Sequence, residues 1–260
     1  MMETVKQGDF TLLAKQYLNR PSYDKRLAEI VLRGMGKNAD SITAADVGAG
    51  TGKWTLVLAS LGIKRIYAVE PNDNMRAEGI ECTKDNASIF WRTGTGEDTG
   101  LEGGSVDWLT MASSFHWTDP QKSLPEFSRA LKDDGFFTCV WNTRNVEKTG
   151  LQHDVEEIIK NIVPELNRVS SGNCASTKKW NEVLISTGHF KDVFFLETDY
   201  TETMSKERYI KIWRSVNDIQ AQAGPERFET IISAIEELIK PFDVISVPYK
   251  IRAWTAQKVV

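Results

Sequence analysis

The stretch "AADVGAGTGKW", residues 44–54, places three glycines within five positions, directly after an apolar run that ends in Asp46. Glycines that follow a strand let the main chain approach a ligand without interference from a Cβ atom, and they readily accept positive φ angles. The pattern therefore predicts a strand, a tight ligand-binding loop and a helix, in that order. The spacing of the glycines bears on which ligand the loop would hold.

Two phosphate-binding motifs differ from this spacing. A dinucleotide fingerprint needs Gly or Ala three residues after its second glycine, and that position is occupied by Lys53. A P-loop needs a glycine five residues before Gly52 and Ser or Thr after the lysine, whereas the chain has Val47 and Trp54 there. The spacing therefore disfavours a phosphate group as the ligand of this loop.

Composition is that of an ordinary globular protein. The 260 residues are 41% apolar and 26% charged, which suits one large α/β domain or two small ones. The net charge is −4 with no basic block, so neither nucleic acid nor an anionic membrane is an expected partner. No signal peptide or spanning segment is visible. Three scattered cysteines and three histidines predict reduced thiols in the cytoplasm and no metal site.

Strand-like and helix-like segments alternate along the first half of the chain, which predicts a parallel sheet covered by helices on both faces. The predicted strands are 42–47, 65–70, 87–93, 106–113, 135–142, 192–204 and 244–257. The predicted helices are 53–62, 72–81, 123–135, 151–163, 180–188 and 226–240.

The second half of the chain carries amphipathic helices, for which two interpretations stay open. They cover the core of the sheet, or they form a cap over the carboxyl edge of the strands, where ligands of such sheets bind. With the cap, the prediction is a single domain over 1–260. Its core would be 38–145, 180–204 and 244–260, and its cap elements 1–36, 146–179 and 205–243.

The pattern Asp46-x-Gly48-x-Gly50-x-Gly52 resembles the first motif of class I methyltransferases, which use S-adenosylmethionine. About 20 residues later, Glu70 closes the second strand in "YAVEP", where a carboxylate receives the ribose hydroxyls of a nucleoside. The resemblance implies a Rossmann-like, seven-stranded, mostly parallel sheet with one antiparallel strand. It also implies that these residues, together with Pro71, bind the donor.

A narrower resemblance extends over roughly the first 145 residues. The segments "GTGEDTGLEGGSVDWLTMASSFHWTDP" (94–120), "LKDDGFFTCVWNTRN" (131–145) and "YLNRPSYD" (17–24) are similar to the trans-aconitate-methyltransferase-like group of small-molecule enzymes. In that group a loop after the third strand lies beside adenine. The resemblance therefore implies that Gly96 and Glu97 contact the adenine.

Three further residues are candidates for the amino-acid tail of the donor. Arg20 is suited to a planar carboxylate, and Tyr17 lies in the same N-terminal segment. The alternative is that this segment is only an exposed helix end. Ser113, which follows the fourth strand, offers a hydroxyl to the same tail.

His116 is the candidate catalytic residue. It follows the fourth strand, at the sheet edge where the donor is expected. A neutral imidazole there could take a proton from an acceptor as the methyl group arrives. The alternative is a structural histidine that is hydrogen-bonded to the backbone and fixes the loop. Several aromatic side chains are candidates to contact the sulfonium, or else pack in the core: Tyr17, Tyr23, Phe115, Trp117 and Trp141.

The sequence thus predicts an S-adenosylmethionine-dependent methyltransferase that acts on an oxygen or nitrogen of a small-molecule acceptor. The motif of base-amino methyltransferases is missing after the fourth strand, where the chain reads "SSFH". Two alternatives remain: a nicotinamide-dependent oxidoreductase, and a donor-binding protein without chemistry. The oligomeric state is left open.

Overall fold

The computed structural model describes residues 10–146, 149–168 and 180–260. The chain forms two compact units. The larger unit comprises Ser22–Asn142, Ala175–Thr198 and Ile251–Val260, and the smaller unit comprises Met1–Pro21, Thr143–Cys174 and Asp199–Lys250. Within the described ranges, no helix has both the length and the apolar character that crossing a bilayer requires.

Seven strands form one sheet in the order β3-β2-β1-β4-β5-β7-β6. The strands are β1 (Thr43–Val47), β2 (Arg65–Val69), β3 (Ile89–Arg92), β4 (Val106–Ala112), β5 (Leu131–Arg144), β6 (Phe190–Met204) and β7 (Ile245–Lys258). The sequence predicted all seven. The sheet and its Rossmann-like character are therefore confirmed.

Strands β1 to β5 run parallel to their neighbours. Strand β7 runs antiparallel to β5. As residue numbers increase along β5, the numbers of the facing residues on β7 decrease. Thr138 contacts Thr255 at 2.9 Å between hydroxyl oxygens, and the Thr143 hydroxyl donates to the Lys250 carbonyl at 3.2 Å. The same opposite trend relates β7 to β6, where Arg252 meets Glu197 and Ser246 meets Thr203. Because β1, β2 and β4 are parallel, their carboxyl ends lie at the same edge of the sheet.

Helices connect the strands. They are α1 (Ala14–Tyr17), α2 (Lys25–Gly34), α3 (Lys53–Ser60), α4 (Asp73–Thr83), α5 (Pro120–Ala130), α6 (Gly150–Ile162), α7 (Trp180–Ile185), α8 (Lys206–Trp213) and α9 (Asn217–Leu238). Side-chain caps begin several of them: Asp24 for α2, Asn72 for α4 and Asp119 for α5.

The helix predicted to extend to Gly135 ends earlier, at Ala130. Leu131 is already extended, with φ −73° and ψ 142°. It pairs with Val106 of β4, so β5 begins before its strongly apolar stretch. The sequence prediction was wrong here. The segment "LKDD" continues the helix-like spacing of apolar residues, whereas its extended conformation depends on pairing with β4, a strand distant in sequence.

Each unit has its own apolar core. The larger unit packs side chains of β1, β4 and β5 with Phe115, Phe127 and Trp180. The smaller unit packs α6, α8 and α9 against the first part of β7. Strand β4 is buried along nearly its whole length, as expected for a central strand covered on both faces. The sheet thus gives the loops at its carboxyl edge a rigid base.

Helix α4 approaches the sheet closely at Gly79. The indole of Trp91 on β3 lies where a side chain at Gly79 would begin, with Cζ2 2.5 Å from an ideal Cβ. The same indole donates from Nε1 to the Thr83 hydroxyl at 2.8 Å. Trp91 therefore fixes the distance between α4 and β3.

Gly79→Ala should destabilise the protein by about 1–3 kcal/mol, because the added methyl overlaps a ring that is already anchored. Gly150→Ala is the matched control. Gly150 is also helical, and nothing lies within 4 Å of its ideal Cβ. That variant should be neutral or stabilising by up to about 1 kcal/mol. Urea denaturation measures both, and equal effects would contradict this packing.

Candidate functional site

The glycine loop between β1 and α3 has the backbone that the sequence predicts. Gly48, Gly50 and Gly52 have φ angles of 69°, 58° and 80°, all in the left-handed region. The N–H groups of Gly48 and Ala49 both donate to the Val69 carbonyl, at 2.8 and 3.0 Å. The loop after β1 is therefore bound to the end of β2. A residue with a side chain at these three glycines would be strained.

Glu70 is joined to the same loop by its carboxylate. Oε2 accepts the Gly50 N–H at 2.8 Å, and Oε1 accepts the Asn72 N–H at 2.9 Å. The side chain is 7% exposed, and burial raises the pKa of its carboxyl, against the lowering effect of the two N–H donors and of Arg76. Each carboxylate oxygen keeps a second acceptor position. Glu70 can therefore receive a pair of hydroxyl groups while it holds the loop.

Asp46 lies at the end of β1 and is fully buried. Its Oδ2 accepts a hydrogen bond from the Thr55 hydroxyl of α3 at 2.6 Å. Burial raises the pKa of this carboxyl to about 7; the Thr55 hydrogen bond opposes the shift, and the nearby charge of Glu70 adds to it. Asp46 is thus a carboxyl group that gains from a cationic partner.

Three buried polar atoms in this segment have no partner among the residues that the structure describes. They are Asp46 Oδ1, Thr51 Oγ1 and Trp54 Nε1. Leaving such groups unpaired costs about 1–3 kcal/mol each. One acceptor, one hydroxyl and one N–H donor, all within residues 46–54, suit the polar groups of a nucleoside with an amino-acid arm. Thr51, Trp54 and Thr55 are not among the site residues predicted from the sequence, although all three lie within three residues of a loop glycine.

Ser113 supports the same edge from β4. It has φ 55°, which is unusual for a residue with a side chain. Its N–H donates to the Val140 carbonyl at 2.7 Å, and its hydroxyl accepts from Tyr23 at 2.9 Å. The Tyr23 ring packs edge-on against Trp54, with ring centroids 5.2 Å apart. Ser113 and Tyr23 therefore belong to the surroundings of the glycine loop, and a donor contact by Ser113 stays a prediction.

The other predicted donor residues of the larger unit lie in two loops. Gly96 has the Thr118 methyl 2.5 Å from its ideal Cβ, which explains a glycine at that position. Glu97 accepts the Asp119 N–H at 2.8 Å. Pro71 is exposed and precedes Asn72, the N-cap of α4. Their contacts with adenine or ribose stay predictions.

Tyr17 and Arg20 lie in the smaller unit. The Arg20 guanidinium stacks on the Tyr17 ring at 4.4 Å from its centroid. Its Nε donates to the Ser215 hydroxyl and one Nη to the Ser215 carbonyl, both at 2.8 Å. These bonds connect the N-terminal segment to the end of α8. Binding of the donor carboxylate by Arg20 stays a prediction.

His116 lies in a short 3₁₀ helix, Phe115–Trp117, directly after β4. Trp141 donates its indole N–H to His116 Nδ1 at 3.2 Å. Burial lowers the pKa of the imidazole to about 4. The ring is therefore neutral near pH 7, and since Nδ1 accepts, Nε2 carries the hydrogen. The partner is a tryptophan and not the backbone group that the sequence analysis considered.

The comparisons with known proteins agree with this geometry. Residues 45–139 match the family model described as a methyltransferase domain. The match covers 95 of the 260 residues. It begins in β1 and ends in β5, so it contains the glycine loop, Glu70 and His116. The sequence-based resemblance to class I methyltransferases, a family that uses S-adenosylmethionine, is confirmed.

Several curated proteins resemble the domain. An uncharacterized methyltransferase of Mycobacterium tuberculosis is 33% identical over 140 residues, which are 54% of this chain and 54% of the relative. An uncharacterized methyltransferase-like protein of Schizosaccharomyces pombe is 25% identical over 220 residues, 82% of this chain and 81% of the relative. The chain spans about half the length of the mycobacterial relatives that it matches.

Solved structures share the fold. A putative type II methyltransferase from Anaeromyxobacter dehalogenans has a TM-score of 0.63 at 19% identity, covering 92% of this chain and 98% of that one. The Haemonchus contortus phosphoethanolamine N-methyltransferase 2, in complex with phosphomonomethylethanolamine and S-adenosylhomocysteine, has a TM-score of 0.57 at 17% identity and covers 98% of this chain and 59% of that one. At these identities the likeness concerns the fold.

The tautomer and charge of His116 can be measured directly. In ¹⁵N-detected NMR spectra, His116 should be the Nε2–H tautomer at neutral pH and stay neutral on acidification until pH approaches about 4. Trp141→Phe should weaken the preference for this tautomer, because the donor to Nδ1 is removed. A proton on Nδ1 in the unaltered protein, or titration near the ordinary value, would contradict the assigned hydrogen bond.

Proposed function

We propose that this chain is an S-adenosylmethionine-dependent methyltransferase that acts on an oxygen or nitrogen atom of a small molecule. The observation that carries the proposal is the pair of buried carboxyl groups at the glycine loop. Asp46 is the last but one residue of β1, and Glu70 directly follows its parallel neighbour β2. The loop between β1 and α3 is hydrogen-bonded to Glu70. A metabolite with two vicinal hydroxyls and an ammonium group matches this pair.

The side chains present fit such a donor. Glu70 offers the remaining lone pairs of two fixed oxygens to a ribose diol. Asp46 offers Oδ1, which is buried without a partner, to an ammonium group. When bound, S-adenosylmethionine supplies an electrophilic methyl group on a sulfonium. The protein's task is then to hold the donor, exclude water and orient the acceptor.

His116 supports methyl transfer in one of two ways. As the Nε2–H tautomer with a pKa lowered to about 4, it is suited to donate a hydrogen bond to an acceptor and so orient it. To act as a base, it would first release the Trp141 N–H. We propose the orienting role. An acceptor that needs no base and keeps a lone pair for the attack while it accepts this hydrogen bond, such as a carboxylate, suits such a site better than an alcohol.

A small acceptor and a cytoplasmic location are also parts of this proposal. The net charge of −4 disfavours a polyanionic substrate such as nucleic acid. Because the chain covers only about half of the mycobacterial relatives, their names support methyl transfer as the reaction and do not identify the acceptor.

Ligand binding tests the function without any knowledge of the acceptor. Isothermal titration calorimetry should show that the chain binds S-adenosylhomocysteine and does not bind NAD⁺. Adenosine should compete with it, and 2′-deoxyadenosine and 3′-deoxyadenosine should compete at least about tenfold more weakly, because each lacks one hydroxyl for Glu70. Changing the ligand leaves the bonds from Glu70 to Gly50 and Asn72 intact.

Tight binding of NAD⁺ in place of S-adenosylhomocysteine would overturn the proposal in favour of an oxidoreductase. Equal competition by the deoxynucleosides would remove Glu70 from ribose recognition. Production of S-adenosylhomocysteine from S-adenosylmethionine with a panel of acids, amines and alcohols would distinguish an enzyme from a protein that binds the donor without chemistry.

The affinity for S-adenosylhomocysteine should rise with pH. The Asp46 pKa is raised to about 7, so the carboxyl is mostly protonated at pH 6. A ligand ammonium favours the charged form, and binding should therefore release a proton. From about pH 6 to about pH 7.5 the affinity should increase about eightfold.

Asp46→Asn is the control for this effect. It should bind S-adenosylhomocysteine weakly and with an affinity that changes little over the same pH range. A pH dependence that survives in Asp46→Asn would assign the titration to another group. A decrease in the affinity of the unaltered protein with rising pH would contradict the contact between Asp46 and the ammonium.

A further inference from the structure

Arg144, the last residue of β5, has unusual surroundings within the smaller unit. The side chain is partly buried, and its guanidinium carbon lies 4.0 Å from the centroid of the Trp213 ring. Trp213 ends α8 and is 1% exposed. Arginine stacks well on tryptophan, because its planar cation is weakly hydrated. The cation is therefore held in place by an aromatic ring and not by a charge.

No carboxylate neutralises Arg144 in the part of the chain that the structure describes. Its one hydrogen-bonding side chain there is Tyr249 of β7, and its Nε is buried without any partner. Four other arginines of the smaller unit have carboxylate partners, whereas Arg20 directs two of its N–H groups to Ser215. The four are Arg168, Arg208, Arg214 and Arg227. Arg144 is thus a cation with hydrogen-bonding capacity to spare.

Two further donor groups adjoin this guanidinium. The Trp213 Nε1–H is buried and has no acceptor within residues 10–146, 149–168 and 180–260. The Tyr249 side chain is 3% exposed. Burial, the largest effect, raises the pKa of Tyr249 above its ordinary value, so the phenol keeps its proton near neutral pH. An indole, a phenol and a guanidinium together offer N–H and O–H groups, and of these only the phenol oxygen also accepts.

A carboxylate close to Tyr249 is already paired with another arginine. Glu202 of β6 acts on Tyr249 through its charge, but its carboxylate lies 2.6 Å from Arg208 Nη2. The Tyr209 hydroxyl accepts the Gln152 side-chain N–H at 3.1 Å. The positive charge of Arg144 is therefore not cancelled by these neighbours.

We propose that Arg144, Trp213 and Tyr249 form a binding site for an anionic oxygen group, a carboxylate or a phosphate, of a small molecule. The guanidinium supplies the charge, and the indole and phenol supply neutral donors that fix the orientation. Such charge-assisted hydrogen bonds are the strong kind, and arginine is suited to planar or tetrahedral oxyanions. The site is defined without the methyl donor, so it stands or falls independently of the proposed function.

The test uses inorganic phosphate and succinate as probes, with succinamide and added NaCl as the uncharged and ionic-strength controls. NMR spectra of the arginine Nε–H and tryptophan Nε1–H groups report on the side chains directly. The Arg144 and Trp213 signals are those lost in Arg144→Gln and Trp213→Phe. Both should move in a saturable way with phosphate or succinate, and neither should move with the controls.

The variants give the expected order of effects on probe affinity. Arg144→Gln should weaken binding at least about tenfold, since it removes the charge. Trp213→Phe should weaken it severalfold, because an aromatic ring is kept beside the guanidinium while the indole N–H is lost. Arg214→Gln is the matched control. It removes an arginine one residue from Trp213, but that arginine is paired with Glu229 at 2.6 Å, so probe affinity should not change.

Equal movement with NaCl or succinamide, no movement in the unaltered protein, or unchanged affinity in Arg144→Gln would each overturn the proposal. Triple-resonance spectra of the unaltered protein assign the same two signals, which keeps the test decisive even if a variant fails to fold. Should the chain fail to bind S-adenosylhomocysteine, the proposed function fails, while the phosphate titration still tests this site.

A turnover assay then identifies the source of the anion. If Arg144→Gln lowers kcat/KM for carboxylate-bearing acceptors at unchanged affinity for S-adenosylhomocysteine, the anionic group belongs to the methyl acceptor. If the variant loses probe binding and its turnover is unaltered, the anion belongs to a separate effector. Both results support an oxyanion site at Arg144.

Discussion

The hydrogen bond from the Gly50 N–H to Glu70 Oε2, 2.8 Å long, is the interaction on which the candidate site depends. It joins the loop after β1 to the end of β2, and the two N–H bonds from Gly48 and Ala49 to the Val69 carbonyl reinforce it. Only a main chain that accepts positive φ can follow this path. The sheet determines where the strands end, the loop determines which backbone groups face a ligand, and Glu70 connects the two.

The burial of charged groups in this part of the protein does not serve stability, and it fits the proposed ligand. Burying Asp46 disfavours its charged form and raises its pKa to about 7. A protein that only needed to fold would be better served by a neutral residue there. The same reasoning applies to Arg144, whose Nε is buried without a partner. A ligand that supplies the missing hydrogen bond to such a buried polar group gains binding free energy there.

The sequence predicted the strands and the carboxyl-edge residues because both are local features. Asp46, the glycines and Glu70 follow strand-like runs directly, so spacing alone placed them at one edge. Features that depend on distant partners could not be read in this way. The early start of β5 at Leu131 depends on pairing with Val106, and the tautomer of His116 depends on Trp141, 25 positions later in the chain. The spare hydrogen-bonding capacity of Arg144 became visible only once its neighbours were known.

The most direct test of the central claim is a crystal structure of the chain with S-adenosylhomocysteine bound. The account predicts that both ribose hydroxyls donate to the Glu70 carboxylate and that the ligand ammonium contacts Asp46 Oδ1. The bond between Gly50 and Glu70 should be retained. A ligand bound elsewhere, or one whose ribose faces away from Glu70 while Asp46 Oδ1 stays unpaired, would contradict it.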